Sequence, residues 1–118
     1  MAFTVFFLLI GAHALADYCI QGDAVAIGKN KYIDPARFGV NWYYWMFGHA
    51  FTQGLLVALV TQNAFIGLAE AVFHFLVDWL KCKKYIGIHS DQFLHFASKF
   101  VWVLFYFIYS VDNTGGLS

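Results

Sequence analysis

Charge is scarce in this sequence. Asp, Glu, Lys and Arg make up only 12% of its 118 residues, where a soluble domain carries about a quarter. Proline occurs once, at Pro35, so long helices meet almost no covalent obstacle. Cysteine occurs twice, as Cys19 and Cys82; that is too few for a disulfide scaffold, and both read as free thiols. The formal net charge is zero, which leaves no basic surface for a nucleic-acid partner. There is no GxSxG, phosphate-binding loop or HExxH, so the familiar soluble-hydrolase motifs do not apply. No Lys or Arg precedes Lys29. The apolar stretch from Met1 to Ala16 ends in the small-residue pattern His13-Ala14-Leu15-Ala16, yet it lacks the basic start of a secretory signal and is read as a retained helix.

What is present is apolar: 61% of the residues are hydrophobic and 21% aromatic. A soluble chain this short has too little interior to hide them, whereas lipid accepts them. Four segments read as helices, at about 3–20, 43–60, 64–81 and 91–110, and at ~1.5 Å per residue each nearly spans a ~30 Å hydrocarbon core. The expected fold is all-α, a four-helix transmembrane bundle forming one domain over residues 1–118.

Gly22 to Asn41 is the only polar stretch of any length, with Asp34-Pro35 as a turn or helix-start signal. Trp42, Tyr43, Tyr44 and Trp45 follow, rings that favour the membrane–water interface. Thr61-Gln62-Asn63 is a short uncharged turn, Ser90 is placed to cap the fourth helix, and Asp112 to Gly116 reads as a frayed tail. All Lys and Arg except Lys99 lie in or beside the first and third connections. The positive-inside rule puts those connections in the cytosol and both termini outside it.

Counting inward from the basic connections sorts the polar residues by depth. Asp17, Asp78 and Asp91 fall near the cytosolic helix ends, and His13, His74 and His95 each lie one turn, ~6 Å, deeper. His49 enters the second helix at similar depth. Glu70 and Lys99 lie two turns inside Asp78 and Asp91, at matching depth, where an isolated charge is costly; the two are expected to pair. Gln21 and Gln53 read as residues that orient the others by hydrogen bonds. His13-x3-Asp17 and His49, echoed by His74-x3-Asp78 and Asp91-x3-His95, also fit two repeated helical hairpins facing each other.

Imidazoles and carboxylates on facing helices are the parts of a metal site in a helical bundle. The candidate ligands are His13, Asp17, His49, His74, Asp78, Asp91 and His95, a donor set suited to Zn, Fe or Mn and large enough for a dinuclear site. Against this stand a proton or ion pathway, and histidines that merely hydrogen-bond between helices. The convergence of four helices on one layer favours metal. Cys82 reads as a spectator thiol among lysines at a wet interface, His89 as a solvated loop residue, and Trp102, Phe105, Tyr106, Phe107 and Tyr109 as lipid-facing or interfacial rings.

The blocks His13-Ala-Leu-Ala-Asp17-Tyr-Cys-Ile-Gln21, Gly48-His49-Ala50, Glu70 to Lys81 and Asp91-Gln92-Phe-Leu-His95 resemble a bacterial and phage family of small polytopic membrane proteins catalogued as a domain of unknown function. The resemblance covers about residues 8–100. It implies an integral protein of the bacterial inner membrane and supports the choice of site residues, without implying an activity.

Three functions are carried forward. The first is a metal-dependent membrane hydrolase in which Asp78 or Glu70 acts as general base. The second is a small transporter or proton- or ion-conducting protein. The third is a phage or host accessory protein acting by protein interaction. The bilayer is the expected partner, and a homo-oligomer stays open.

Overall fold

The computed structural model describes residues 1–33 and 36–115, so the Asp34-Pro35 signal and Gly116 lie outside the described residues. Among the described residues every regular element is helical. Helix α1 (Ala2–Ala14) continues into a π-helical turn (Leu15–Ile20). The short α2 (Asp23–Gly28) and a 3-10 turn (Arg37–Gly39) come next, then α3 (Trp42–Thr61), α4 (Ala64–Cys82) and α5 (Ile88–Gly115). The long helices form a ring in which α1 packs on α3 and α5, and α4 packs on α3 and α5.

Local chemistry sets the helix ends. Gln62 takes a left-handed conformation (φ 53°) that closes α3. Asn63 then caps α4, its Oδ1 accepting from the N–H groups of Phe65 and Ile66 at 2.9 and 3.2 Å. Only these two residues separate α3 from α4, which makes the helices antiparallel neighbours.

Three sequence expectations need correction. The polar stretch after residue 22 contains α2, built around the apolar run Ala24-Val25-Ala26-Ile27. Ser90 is not a cap, because α5 begins at Ile88 and the Asp91 N–H already bonds to the Gly87 carbonyl at 2.9 Å. The polar tail also stays helical through Gly115.

The α3/α4 contact is the closest in the bundle. A Cβ on Gly54 would lie 2.5 Å from the Gly67 carbonyl oxygen, and one on Gly67 would lie 2.5 Å from the Ala58 Cβ. Gly54-x3-Ala58 thus faces Gly67-x3-Ala71, small residues at the spacing that lets helix backbones touch in lipid. We expect Gly54→Leu and Gly67→Leu each to cost ~1–3 kcal/mol or more by overpacking. Thermal melting in detergent should show this, while Gly11→Leu, which points into open space, should leave the melt unchanged. Equal losses at all three positions would refute the close approach.

Burial is inverted relative to a water-soluble bundle. Glu70, His74, Asp78, Asp91, His95 and Lys99 are each 0% exposed. Phe7, Phe47, Phe51, Leu55, Leu59, Phe65, Leu68, Val72, Leu76, Phe93, Phe100 and Leu104 face outward from the four long helices. Two stretches, Ala2–Ile20 and Ile88–Asp112, are long and apolar enough to cross a membrane by length and composition. Helix α4 carries Glu70, Asp78 and Lys81, which lowers its apolar character although its outer face is greasy. At the end of the bundle away from α2, Val5, Leu9, Val57, Ile66, Trp102 and Val103 form a dry cluster.

Candidate metal centre

All seven histidines and aspartates singled out from the sequence meet in one buried layer. The π-helical turn supplies Asp17. Its wider winding departs from α-helical register, a distortion that recurs at functional sites. Asp17 Oδ1 lies 3.0 Å from His49 Nε2 and accepts from Gln53 Nε2 at 3.0 Å. His49 Nε2 and His74 Nε2 are 3.0 Å apart. Both stand 3.5 Å from Asp78 Oδ2, and His74 Nε2 is 3.6 Å from Asp17 Oδ1. On the other side of Asp78, His95 Nε2 lies 3.6 Å from Asp78 Oδ1 and 3.3 Å from Asp91 Oδ1. His13 completes the layer, with Nε2 3.5 Å from Asp17 Oδ2 and its ring centroid 5.0 Å from that of His95.

Several of these atoms are left without hydrogen bonds although no solvent reaches them. They include both ring nitrogens of His95, Nδ1 of His13 and His74, and Oδ1 of Asp78 and Asp91. Buried polar groups are normally satisfied, and an orphaned acceptor is costly in a low-dielectric interior. Three overlapping groups have donor atoms within 4.8 Å of one another: His13, His74 and His95; Asp17, His49 and His74; Asp78, Asp91 and His95. These groups, found among the described residues, could hold a metal ion.

Deeper in the bundle, Lys99 Nζ donates to Glu70 Oε1 at 2.7 Å, and the Trp102 indole N–H donates to Glu70 Oε2. Trp102 is therefore buried and polar-bonded rather than lipid-facing, because a carboxylate at that depth needs a second donor. Glu70 Oε1 also lies 3.5 Å from His74 Nδ1. With both oxygens already accepting, Glu70 is better placed to orient the His74 ring than to move protons.

Sequence reasoning missed three contributors. Lys29, counted as a loop cation, is buried and donates to Asp78 Oδ2. Gly28 makes this contact possible: the Trp45 ring packs where a Cβ would sit, so α2 lies flat on α3 and the next residue turns inward. Lys81 Nζ lies 3.3 Å from Asp91 Oδ2 and 3.5 Å from Asp78 Oδ1. Gln92 links the helices, donating to Asp17 Oδ2 at 3.2 Å and Asp91 Oδ2 at 3.0 Å, while its Oε1 accepts from the Tyr18 hydroxyl and lies 3.3 Å from His13 Nε2. The missed signal was charge balance, since three buried aspartates call for cations close by. Gln21 contributes less than expected and reaches only the Asp17 backbone carbonyl, at 3.3 Å. Cys82 is a buried free thiol, not a wet one, and His89 lies exposed in the first turn of α5.

A cleft of about 150 Å³, walled by Ala16, Ile20, Val25, Tyr44, Trp45 and Thr52, reaches His49 from outside the bundle. It gives the layer an approach at the level of the aromatic cluster.

A family model described as a protein of unknown function, DUF3307, matches residues 5–114. The chain belongs to the DUF3307 family. No curated protein and no solved structure matches it. The match spans all four long helices, so every residue of the layer lies inside the DUF3307 domain.

Proposed function

We propose that this DUF3307 protein is a four-span protein of the bacterial inner membrane that binds a divalent metal in its His/Asp layer and uses it for hydrolysis. The observation that carries the proposal is the set of buried donor atoms on His95, Asp78 and Asp91 that make no hydrogen bond, beside His49 and His74 from the facing helices. Four spans are supported by the apolar outer faces of α3 and α4, whose 20 and 19 residues match the other long helices in reach. The basic loops following α2 and α4 favour a cytosolic location for the layer, with both termini on the opposite side.

A divalent cation held there would supply Lewis-acid activation of the attacking water. The chain's own part would be to hold the ion, accept a proton on an aspartate and return it to the leaving alcohol. Asp78 and Asp91 each have an oxygen that accepts no hydrogen bond and could take that proton. Lys29 and Lys81 beside the layer favour an anionic substrate. The lipid-level cleft leading to His49 favours an amphiphile, so a phosphorylated amphiphile is the substrate class we adopt.

The test is metal content by mass spectrometry on detergent-purified protein, beside a His13→Ala, His74→Ala double variant. We expect near-stoichiometric Zn, Fe or Mn in the wild type and its loss in a folded variant. No metal in either, after incubation with a panel of ions, would overturn the reading.

A proton or ion pathway is the second reading, and the chain His74, Glu70, Lys99 favours it. That chain ends at Trp102 against the dry cluster of Val5, Leu9, Val57, Ile66 and Val103, so continuous conduction would need the plug to open. We expect tight proteoliposomes; flux that depends on Glu70 would reverse the order of the two readings. A partner-binding accessory role, or a homo-oligomer, would instead appear as a co-purifying species indifferent to histidine replacement.

A further inference from the structure

The layer contains two cation positions, and Asp78 lies between them. Two of the three donor groups share no residue: Asp17, His49 and His74 form one, Asp78, Asp91 and His95 the other. Each can therefore be filled while the other is filled. Asp78 belongs to the second group by Oδ1, 3.6 Å from His95 Nε2, yet its Oδ2 stands 3.5 Å from both His49 Nε2 and His74 Nε2. One carboxylate thus presents an oxygen to each group.

The spacing fits. Donors around a tetrahedral ion at bond lengths of about 2.0–2.1 Å stand about 3.3 Å apart. His49 Nε2, His74 Nε2, Asp17 Oδ1 and Asp78 Oδ2 are separated by 3.0 to 3.6 Å over the contacts given above. In the second group, the His95 to Asp91 and His95 to Asp78 separations are 3.3 and 3.6 Å, and neither ring nitrogen of His95 makes a hydrogen bond.

A third observation is independent of ligand geometry. Two ammonium groups already flank Asp78, Lys29 on Oδ2 and Lys81 3.5 Å from Oδ1. Positive charge is thus accommodated on each side of this carboxylate. Lys81 is partly exposed and Lys29 is buried at the end of α2; their flexible stems would let the ammonium groups withdraw as ions enter.

We propose that the layer binds a pair of divalent transition-metal cations, one held by Asp17, His49 and His74, the other by Asp91 and His95, with Asp78 bridging them. This rests on the metal-binding reading above and adds the number of ions and the bridge. The probe is Mn²⁺, titrated into chelator-stripped protein in detergent, with bound metal counted and the electron paramagnetic resonance spectrum recorded.

The expected result is two ions per chain and a spin-coupled spectrum. His95→Ala should bind one ion and show the spectrum of isolated Mn²⁺. Asp78→Asn should lose the coupling at any loading. One ion in the wild type would overturn the pair and leave the single-metal reading standing; none would overturn both. Two ions with an uncoupled spectrum would overturn the bridge. Should Asp78→Asn fail to fold, the wild-type count and the His95→Ala count decide.

Discussion

Glu70→Lys should unfold the protein in detergent, and adding Lys99→Glu should restore most of the lost stability. The reversal places two ammonium groups at a depth where both residues are 0% exposed and replaces a 2.7 Å bond with repulsion. Removing one partner of a buried pair costs about 3–5 kcal/mol, and like charges add to that. The double variant recovers the pair but turns the Trp102 N–H away from its acceptor, so rescue should stop short of wild type by about 1–3 kcal/mol. Size-exclusion profiles and thermal melts of the two single variants and the double variant check this. A double variant as unstable as the singles would show that position-specific contacts, not charge pairing, hold Glu70 and Lys99.

Asp78→Asn should lower hydrolysis of bis(p-nitrophenyl) phosphate by at least ~10²–10⁴-fold, the range for loss of a group that transfers a proton. In the bridged pair proposed above, the same change would also take a charged ligand from both ions, which pushes the expected loss toward the upper end. The amide keeps the shape of the carboxylate but cannot carry its charge. Lys29 then loses its anion inside the protein, which costs about 3–5 kcal/mol for a buried pair, so circular dichroism and a thermal melt must show the variant folded before its turnover is read. Unchanged turnover in a folded variant would sink the hydrolase reading.

The depth of the layer was legible because a helix converts sequence spacing into height. Basic connections gave the zero of that scale, and turns counted from it brought His13, Asp17, His74, Asp78, Asp91 and His95 level. The Glu70–Lys99 bond followed from the same count. Azimuth was less legible. Whether Trp102 faces lipid or Glu70 depends on the rotation of α5 against α4, and an aromatic ring satisfies both environments. The π-helical turn that carries Asp17 has no clear sequence mark, since Leu15 to Ile20 also suits an α-helix. Lys29 was hidden for another reason. Its burial depends on α2 lying against Trp45, a tertiary contact that helical periodicity does not encode. Charge balance would have found it, because Asp17, Asp78 and Asp91 exceed the cations visible inside the helices.

The dry cluster around Trp102 also has an electrical meaning. A membrane potential falls across low-dielectric material, and in the orientation proposed here that material lies between the His/Asp layer and the outer face. The layer then stands near the cytosolic potential. A divalent ion crossing the whole membrane exchanges about 4.6 kcal/mol with a 100 mV field, but one arriving from the cytosol meets little of it. Occupancy would follow the ion concentration in the cytosol and ignore the voltage, so a protein placed this way would keep its chemistry within the membrane and its ions in equilibrium with the cell interior.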